Sequence, residues 1–305
     1  RGEIALRLVR AVQDLGSRSV AVYAQDDAQA LHVYQADEAL ALDATGPAAY
    51  LDIARIIALA RQAGCDALHP GYGFLSERAD FAQACLEAGL AFIGPTVAQL
   101  ALFGDKARAR SLAQECGVPL MPGSAGAVTL AQAQAFFATQ SGTAKRAGVM
   151  IKAIGGGGGR GMRAVLQASE LPEAYARCVS EATAFGVDGV YVERLMPRAR
   201  HIEIQLIGDG TQVVSLGDRE CSLQRRFQKL VEIAPSPSLP EALRSSITQA
   251  ALRLAQAANY RSLGTFEFLV DEDAGDLPFV FIEANPRLQV EHTVTEEIGR
   301  AACRE

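Results

Sequence analysis

Apolar positions along the first hundred residues recur in two alternating rhythms. In EIALRLVRAVQDLG, Ile4, Leu8, Val12 and Leu15 fall on one stripe at helical spacing, and Gly16 supplies a stop. SVAVYA reads as a short strand, AYLDIARIIALARQAG as a second helix with its own glycine stop, and DALHP and LAFIGP as further short buried strands. Strands alternating with helices imply a parallel sheet with helices on its faces. Such a sheet ordinarily begins with a strand, whereas this chain opens inside a helix at Arg1, so the expectation is an N-terminal truncation. A helix over about Lys106 to Gly117 runs into the turn-rich GVPLMPG, which marks a domain boundary. A smaller unit follows: VMIKAI, five glycines, GMRAVL, a helix to about Ala184, and VYVERLM. Beyond Pro197 the pattern turns strand-rich, with RHIEIQLIG, QVVSLGDREC, GTFEFLV and FVFIEA interrupted by one helix, PEALRSSITQAALRLAQAAN. That order predicts an antiparallel α+β layer. The expected divisions are an α/β unit over 1–105, a linker helix and lid over 106–196, and an antiparallel-sheet unit over 197–305.

The glycine run changes the picture from architecture to chemistry. Consecutive glycines let backbone N–H groups converge on anionic oxygens. IKAIGGGGGRGMRAV lacks the Gly-Lys-Ser/Thr of a P-loop, and it joins two strands, so it is no dinucleotide fingerprint either. It predicts a hairpin flap able to close over a triphosphate; a plain flexible linker is the competing reading. Lys152, inside the apolar strand just ahead of the run, favours the flap, because a buried ammonium needs an anionic partner.

TFEFLV and FVFIE flank the acidic turn DEDAGDLP and predict a hairpin that sets Glu267 and Glu283 among phenylalanines. Two facing carboxylates repel, and one would take up a proton unless a cation intervened. Magnesium characteristically takes one or two carboxylates together with phosphate oxygens, and Asn285 adds a neutral oxygen. Glutamates pointing to water on an open sheet face are the alternative. In EANPRLQVEH, Glu283, Asn285, Arg287, Gln289 and Glu291 alternate with smaller or apolar residues, as on one face of an extended chain, although Pro286 argues against a regular central strand.

Composition narrows the partners. The chain is 305 residues long, 49% apolar, with a net charge of −6, which suits a soluble enzyme and argues against nucleic acid as a partner. No apolar run is long enough to span a membrane, and no signal peptide is expected. Six scattered cysteines form no CxxC pair and no zinc spacing, so reduced thiols and a cytoplasmic location are expected.

Taken in order, RGEIALR, HPGYGFLSE, FIGP, GDK, IKAIGGGGGRGM, RHIEIQ, RECSLQRR, GTFEFL and FIEANPRLQVEH resemble ATP-grasp enzymes. More narrowly, they resemble the biotin carboxylase component of biotin-dependent carboxylases, from Arg1 to about Glu297. HPGYGFLSE and RLQVEH carry the narrower likeness. The resemblance implies a Rossmann-like, pre-ATP-grasp α/β domain followed by an α+β ATP-grasp domain with a small glycine-flap lid. It implies ATP contacts at Lys106, Lys152, Gly156, Gly157, Gly158, Gly159, Arg160, Gly161, Glu193, Met196, His201 and Gln224. It implies a magnesium site, open to manganese, at Glu267, Glu283 and Asn285, and a bicarbonate pocket of Lys229, Arg287, Gln289, Val290 and Glu291. Glu291 matches the general base, with Lys229 and Arg287 beside it. The implied reaction activates bicarbonate with MgATP to carboxyphosphate and carboxylates biotin on a carrier protein.

The implied partners are a biotinyl carrier domain and a carboxyltransferase, with a homodimer for the parent protein. Three departures stand out: Phe227 where many relatives have His or Asn, Ile233 where a second Glu is usual, and the tail GRAACRE in place of a Thr-Gly-containing helix. The tail carries the expectation that the chain stops before the biotin site and dimer surface are finished. The rival readings are another ATP-grasp ligase acting on a different carboxylate, which RLQVEH disfavours, and a non-catalytic nucleotide-binding module, which the retained carboxylates disfavour.

Overall fold

Four sheets organise the described residues. The computed structural model describes residues 1–124, 126–140, 148–154, 161–184, 189–225, 228–273 and 277–302. The N-terminal part runs α1 (Gly2–Asp14), β1 (Val20–Tyr23), α2 (Leu31–Gln35), β2 (Glu38–Ala41), α3 (Ile53–Gln62), β3 (Ala67–Leu68), α4 (Ala79–Glu87), β4 (Ala91–Phe92) and α5 (Val97–Phe103). The expected parallel sheet is present as two parallel pairs, β1 with β2 and β3 with β4. Their shared core holds Ile56, Leu59, Phe81, Cys85 and Phe92. Leu15, expected on the buried stripe of α1, lies beyond the helix end and is 82% exposed, while Val9 is buried instead.

Helix α6 (Lys106–Glu115) starts at Asp105, whose side chain accepts from the backbone N–H groups of Ala107 and Arg108 and so caps it. After α7 (Leu130–Gln140) comes an antiparallel sheet of β5 (Val149–Ala153), β6 (Met162–Val165) and β7 (Val190–Arg194), in the order β6-β5-β7. Helix α8 (Leu171–Ala184) packs on this sheet, burying Val149, Ile151, Val165, Val190 and Val192.

The largest sheet has five antiparallel strands in the order β10-β9-β8-β11-β12: β8 (Ala199–Asp209), β9 (Val213–Arg225), β10 (Gln228–Ile233), β11 (Arg261–Asp271) and β12 (Phe279–Asn285). Strand β10 was not expected from its sequence; it pairs along β9 with two register shifts. One face of the sheet is apolar. Ile202, Ile204, Leu206, Phe266 and Phe268 bury themselves against α9 (Glu241–Ala257) and against Ala109 and Ala113 of α6. Phe103, Tyr260 and Phe266 stack edge-on there at 5.3–5.9 Å between centroids. Gly264 is required, because a Cβ would lie 2.2 Å from the Tyr260 hydroxyl.

Among the linkages that join the parts are two that use backbone groups. Gln99 donates to the carbonyls of Ala258 and Asn259 and accepts from the N–H of Arg261, tying α5 to the start of β11. The segment 118–124 straps the two antiparallel sheets edge to edge. Phe281 N–H donates to Pro119 O, and further on Arg194 N–H donates to Pro122 O and Ser124 N–H to Val192 O, each at 2.8 Å. The last helix is α10 (His292–Ala302).

Candidate active site

Alternation along the strands places the polar residues on the face of the large sheet opposite α9. Register then lines them up across it. Glu203 lies opposite Arg219 on one side and Glu267 on the other, and Glu267 lies opposite Glu283. The row Arg219–Glu203–Glu267–Glu283 therefore crosses four strands, about 14 Å at the ordinary strand spacing. A second row sets Gln205, Thr265 and Asn285 beside it. The predicted facing of Glu267 and Glu283 is thus a consequence of hairpin register.

Lys229 is the hub. Its ammonium has three N–H donors, and they reach Glu203 Oε2 at 2.7 Å, Glu267 Oε1 at 3.0 Å and Glu291 Oε1 at 3.3 Å. Burial works against its charge, but Glu267 and Glu203 outweigh burial and hold its pKa above the usual lysine value. Glu267, 4% exposed, shows the mirror effect: burial pushes its carboxyl up, yet His201 and Lys229 keep it below the ordinary carboxylate range. His201 Nε2 lies 2.6 Å from Glu267 Oε2, and Asn285 Nδ2 donates to Glu267 Oε1 at 2.6 Å. Gln224 Nε2 donates to Cys221 O at 2.7 Å and sits 2.9 Å from His201 Nδ1. A carbonyl accepts only, so this nitrogen is the amide NH2; His201 Nδ1 then accepts, and Nε2–H donates to Glu267.

The segment beyond Asn285 departs from the expected alternating strand. Strand β12 ends at Asn285, and residues 286–291 turn irregularly into α10. Pro286 removes a backbone donor at that point. The side chains consequently scatter. Arg287 Nε pairs with Glu77, and its NH2 lies 3.4 Å from Asn285 Oδ1. Gln289 is 3% exposed and accepts from Arg219, whereas Val290 is 55% exposed. Glu291 turns back to Lys229.

Nearer the lid, Lys106 Nζ approaches Glu283 Oε2 at 3.6 Å. Lys152 finds the anionic partner its burial demands in Glu193, one strand away on β7, and lies over the ring of Tyr191 at 5.9 Å. Tyr191 titrates above the usual tyrosine range, chiefly through burial and then through Glu193, with Glu283 adding to it. Met196 follows β7, half-buried. Gly161 has a left-handed φ of 73° and accepts at its carbonyl from Ala153 N–H. Gly156, Gly157, Gly158, Gly159 and Arg160 of the predicted flap, and Phe227, lie outside the described residues.

Sequence reasoning passed over Glu203, Arg219 and Glu77. Glu203 and Gln205 alternate with Ile202, Ile204 and Leu206 in HIEIQL, and that alternation was the available signal. The donor set suits a divalent cation. A carboxylate accepts about four hydrogen bonds; Glu267 has accepted three, from Lys229, Asn285 and His201, leaving room on one oxygen. Glu283 is 40% exposed at its side chain, and among the described residues its ion pair is the long approach to Lys106 at 3.6 Å, so it is the more available ligand. Glu203, Cys221 and Glu232 also gather within 4.8 Å, but both Glu203 oxygens are already taken by Arg219 and Lys229.

An α/β domain with parallel strand pairs, followed by two antiparallel sheets strapped together beside lysines and carboxylates, defines the ATP-grasp class of fold. Residues 1–100 match the biotin carboxylase N-terminal domain, and residues 105–300 match the carbamoyl-phosphate synthase L chain ATP-binding domain. Pyruvate carboxylase 1 of Caenorhabditis elegans is 51% identical over 302 residues, covering 98% of this chain and 25% of that protein. The biotin carboxylase of Campylobacter jejuni, solved as a β,γ-ATP complex, superposes with a TM-score of 0.90 at 44% identity, covering 98% of this chain and 66% of that one. The biotin carboxylase domain dimer of Hydrogenobacter thermophilus 2-oxoglutarate carboxylase, solved with MgADP, ADP and bicarbonate, superposes with a TM-score of 0.88 at 42% identity, covering 98% and 65%. The chain belongs to the biotin carboxylase family. It spans about a quarter of the pyruvate carboxylase and about two thirds of the two solved chains.

Proposed function

We propose that this chain carries out the first half-reaction of a biotin-dependent carboxylase: MgATP-dependent activation of bicarbonate and carboxylation of biotin on a carrier. The observation that carries this reading is the sharing of one ammonium, Lys229, by Glu267 at 3.0 Å and Glu291 at 3.3 Å. That sharing sets a candidate base beside a candidate metal carboxylate. Arg287, Lys229 and Gln289 would hold bicarbonate, the guanidinium offering paired donors to a planar oxyanion. Glu291 would take its proton, within the reach general-base catalysis requires. The freed oxygen attacks the γ-phosphorus of ATP, the bond to the β,γ-bridging oxygen breaks, and ADP departs. Carboxyphosphate then breaks its carboxyl–phosphate C–O bond to release carbon dioxide and phosphate; the phosphate takes the N–H proton of the biotin ureido group, and the freed nitrogen bonds to the carbon dioxide.

Lys106 and Lys152 would steady the phosphates, and Glu193, His201, Gln224 and Met196 would line the nucleotide side. Magnesium, held by Glu283, Glu267 and Asn285, would neutralise charge on the transferred phosphoryl group. The solved relative with MgADP and bicarbonate supports both ligands, and its dimeric state supports a homodimer. A biotinyl carrier domain and a carboxyltransferase are the partners this chemistry needs. The free thiols at Cys65, Cys85, Cys116, Cys178 and Cys221 fit a reducing, cytoplasmic setting. The test is ADP release from MgATP by the purified chain, with and without bicarbonate and free biotin. Turnover that rises with bicarbonate supports the reading; turnover indifferent to both additions overturns it.

A further inference from the structure

Arg219 is fully buried, and a guanidinium in that position is costly unless each of its donors is matched. A guanidinium has five N–H donors in a fixed planar fork, and here five acceptors meet them. Nε donates to Glu203 Oε1; NH1 to Gln205 Oε1 at 2.9 Å and Thr295 Oγ1 at 2.8 Å; NH2 to Gln289 Oε1 at 3.1 Å and Thr265 Oγ1 at 3.4 Å. These acceptors come from β8, β11, the irregular segment after β12, and α10. The fork therefore binds the sheet to the only segment carrying Gln289 and Glu291. Its effect on Gln289 is directional. With the amide oxygen turned to Arg219, the NH2 group faces the opposite way, and it finds no hydrogen-bond acceptor among the described residues. The same fork holds one oxygen of Glu203 while Lys229 takes the other.

We propose that Arg219 is a positioning residue for anion binding: it sets the rotation of the Gln289 amide so that its two N–H donors face the bicarbonate, and it aligns Lys229 through Glu203. The proposal rests on the bicarbonate reading of the site. Lysine has three donors and no planar fork, so Arg219→Lys keeps the charge and loses the geometry.

The experiment measures bicarbonate-dependent ADP release for wild type, Arg219→Lys, Gln289→Ala and the double variant, with ATP affinity followed separately by nucleotide-analogue fluorescence. The expected result is a rise of about tenfold or more in the KM for bicarbonate in Arg219→Lys, with ATP affinity within about twofold of wild type. In the Gln289→Ala background the second substitution should add less than about threefold, because coupled residues are not additive. Parallel losses in bicarbonate and ATP affinity, or effects that multiply fully, overturn the proposal and mark Arg219 as purely structural. A wild type indifferent to bicarbonate removes the functional reading and this proposal with it, so the two failures are told apart by the control arm. Should Arg219→Lys not fold, Gln289→Glu decides. It keeps an acceptor for Arg219 and replaces the outward NH2 by an anionic oxygen. A bicarbonate KM raised about tenfold or more at unchanged ATP affinity supports the orientation, and an unchanged KM refutes it.

Discussion

Replacing Lys229 with methionine keeps an unbranched side chain, one atom shorter, and removes the one charge that three carboxylates share. Glu203 is fully buried at its side chain, Glu267 is 5% exposed and Glu291 12%, while Lys229 itself retains 23%. Breaking a buried ion pair by deleting one partner costs about 3–5 kcal/mol. The residual exposure of Lys229 places this case at the low end, about 3 kcal/mol, against a total stability of about 5–15 kcal/mol for a folded domain. The pH dependence carries the sharper signature. In the wild type the Glu267 carboxyl is held below its ordinary value. Its contribution to stability is therefore present above the unfolded pKa of about 4.3 and lost as pH falls through the folded value.

In Lys229→Met the crowded carboxylates repel one another, at least one folded-state pKa rises, and the folded state binds the extra proton. Stability should then increase as pH drops from 8 towards 5, opposite to the wild-type trend at lower pH. Urea denaturation at a series of pH values reads both effects. Adding Glu291→Gln should recover about 1 kcal/mol, because it removes one of the repelling charges, and the ion pair of that carboxylate among the described residues is the one to Lys229 already lost. A Lys229→Met chain that unfolds at the wild-type urea concentration with the wild-type pH profile would refute this account of the cluster.

Glu291→Gln should lower the bicarbonate-dependent rate of ADP release by at least about a hundredfold, the ordinary scale of general-base loss, with ATP affinity within about twofold; an equal loss of ATP affinity would show that the division of this face into metal and base roles is wrong. Lys152→Met strands the Glu193 carboxylate, which is 9% exposed at its side chain, so it should weaken ATP binding and lower thermal stability together, read by fluorescence titration and a melting curve. Gly123→Ala would press a Cβ to 2.9 Å from both the Glu193 Cβ and the Val192 carbonyl oxygen; overpacking on that scale costs about 1–3 kcal/mol, and hydrogen exchange should quicken first in β7, along the strap.

Much of the site was legible because charged residues in apolar strands are conspicuous. Lys152 inside VMIKAI demanded an anion, and Glu193 supplies it. Glu267 and Glu283, read as facing each other across a hairpin, do so in register. Other parts were hidden for identifiable reasons. Strand β10 carries no clean alternation, because two register shifts along β9 break it. Arg219 sits in GDREC, a stretch that looks like a polar turn, and nothing local reveals that five acceptors from other elements converge on it. The stripe drawn through Leu15 failed because periodicity does not state where a helix ends.

By itself, the sequence determined which chemistry was available: a lysine just ahead of a glycine run and a carboxylate pair, implied by residue type and local spacing, with Lys106 and the base Glu291 implied by the family resemblance. Side-chain alternation along a strand is a local property, so the apolar and polar faces of β8 and β11 followed from it as well. Only the tertiary structure decided which of these groups share a charge. Lys229 meets Glu203, Glu267 and Glu291 across as many as 62 positions of chain, and Arg219 meets Thr295 across 76. Hydrogen bonds and ion pairs depend on distance in space, and inter-strand register, together with the break after Asn285, sets those distances.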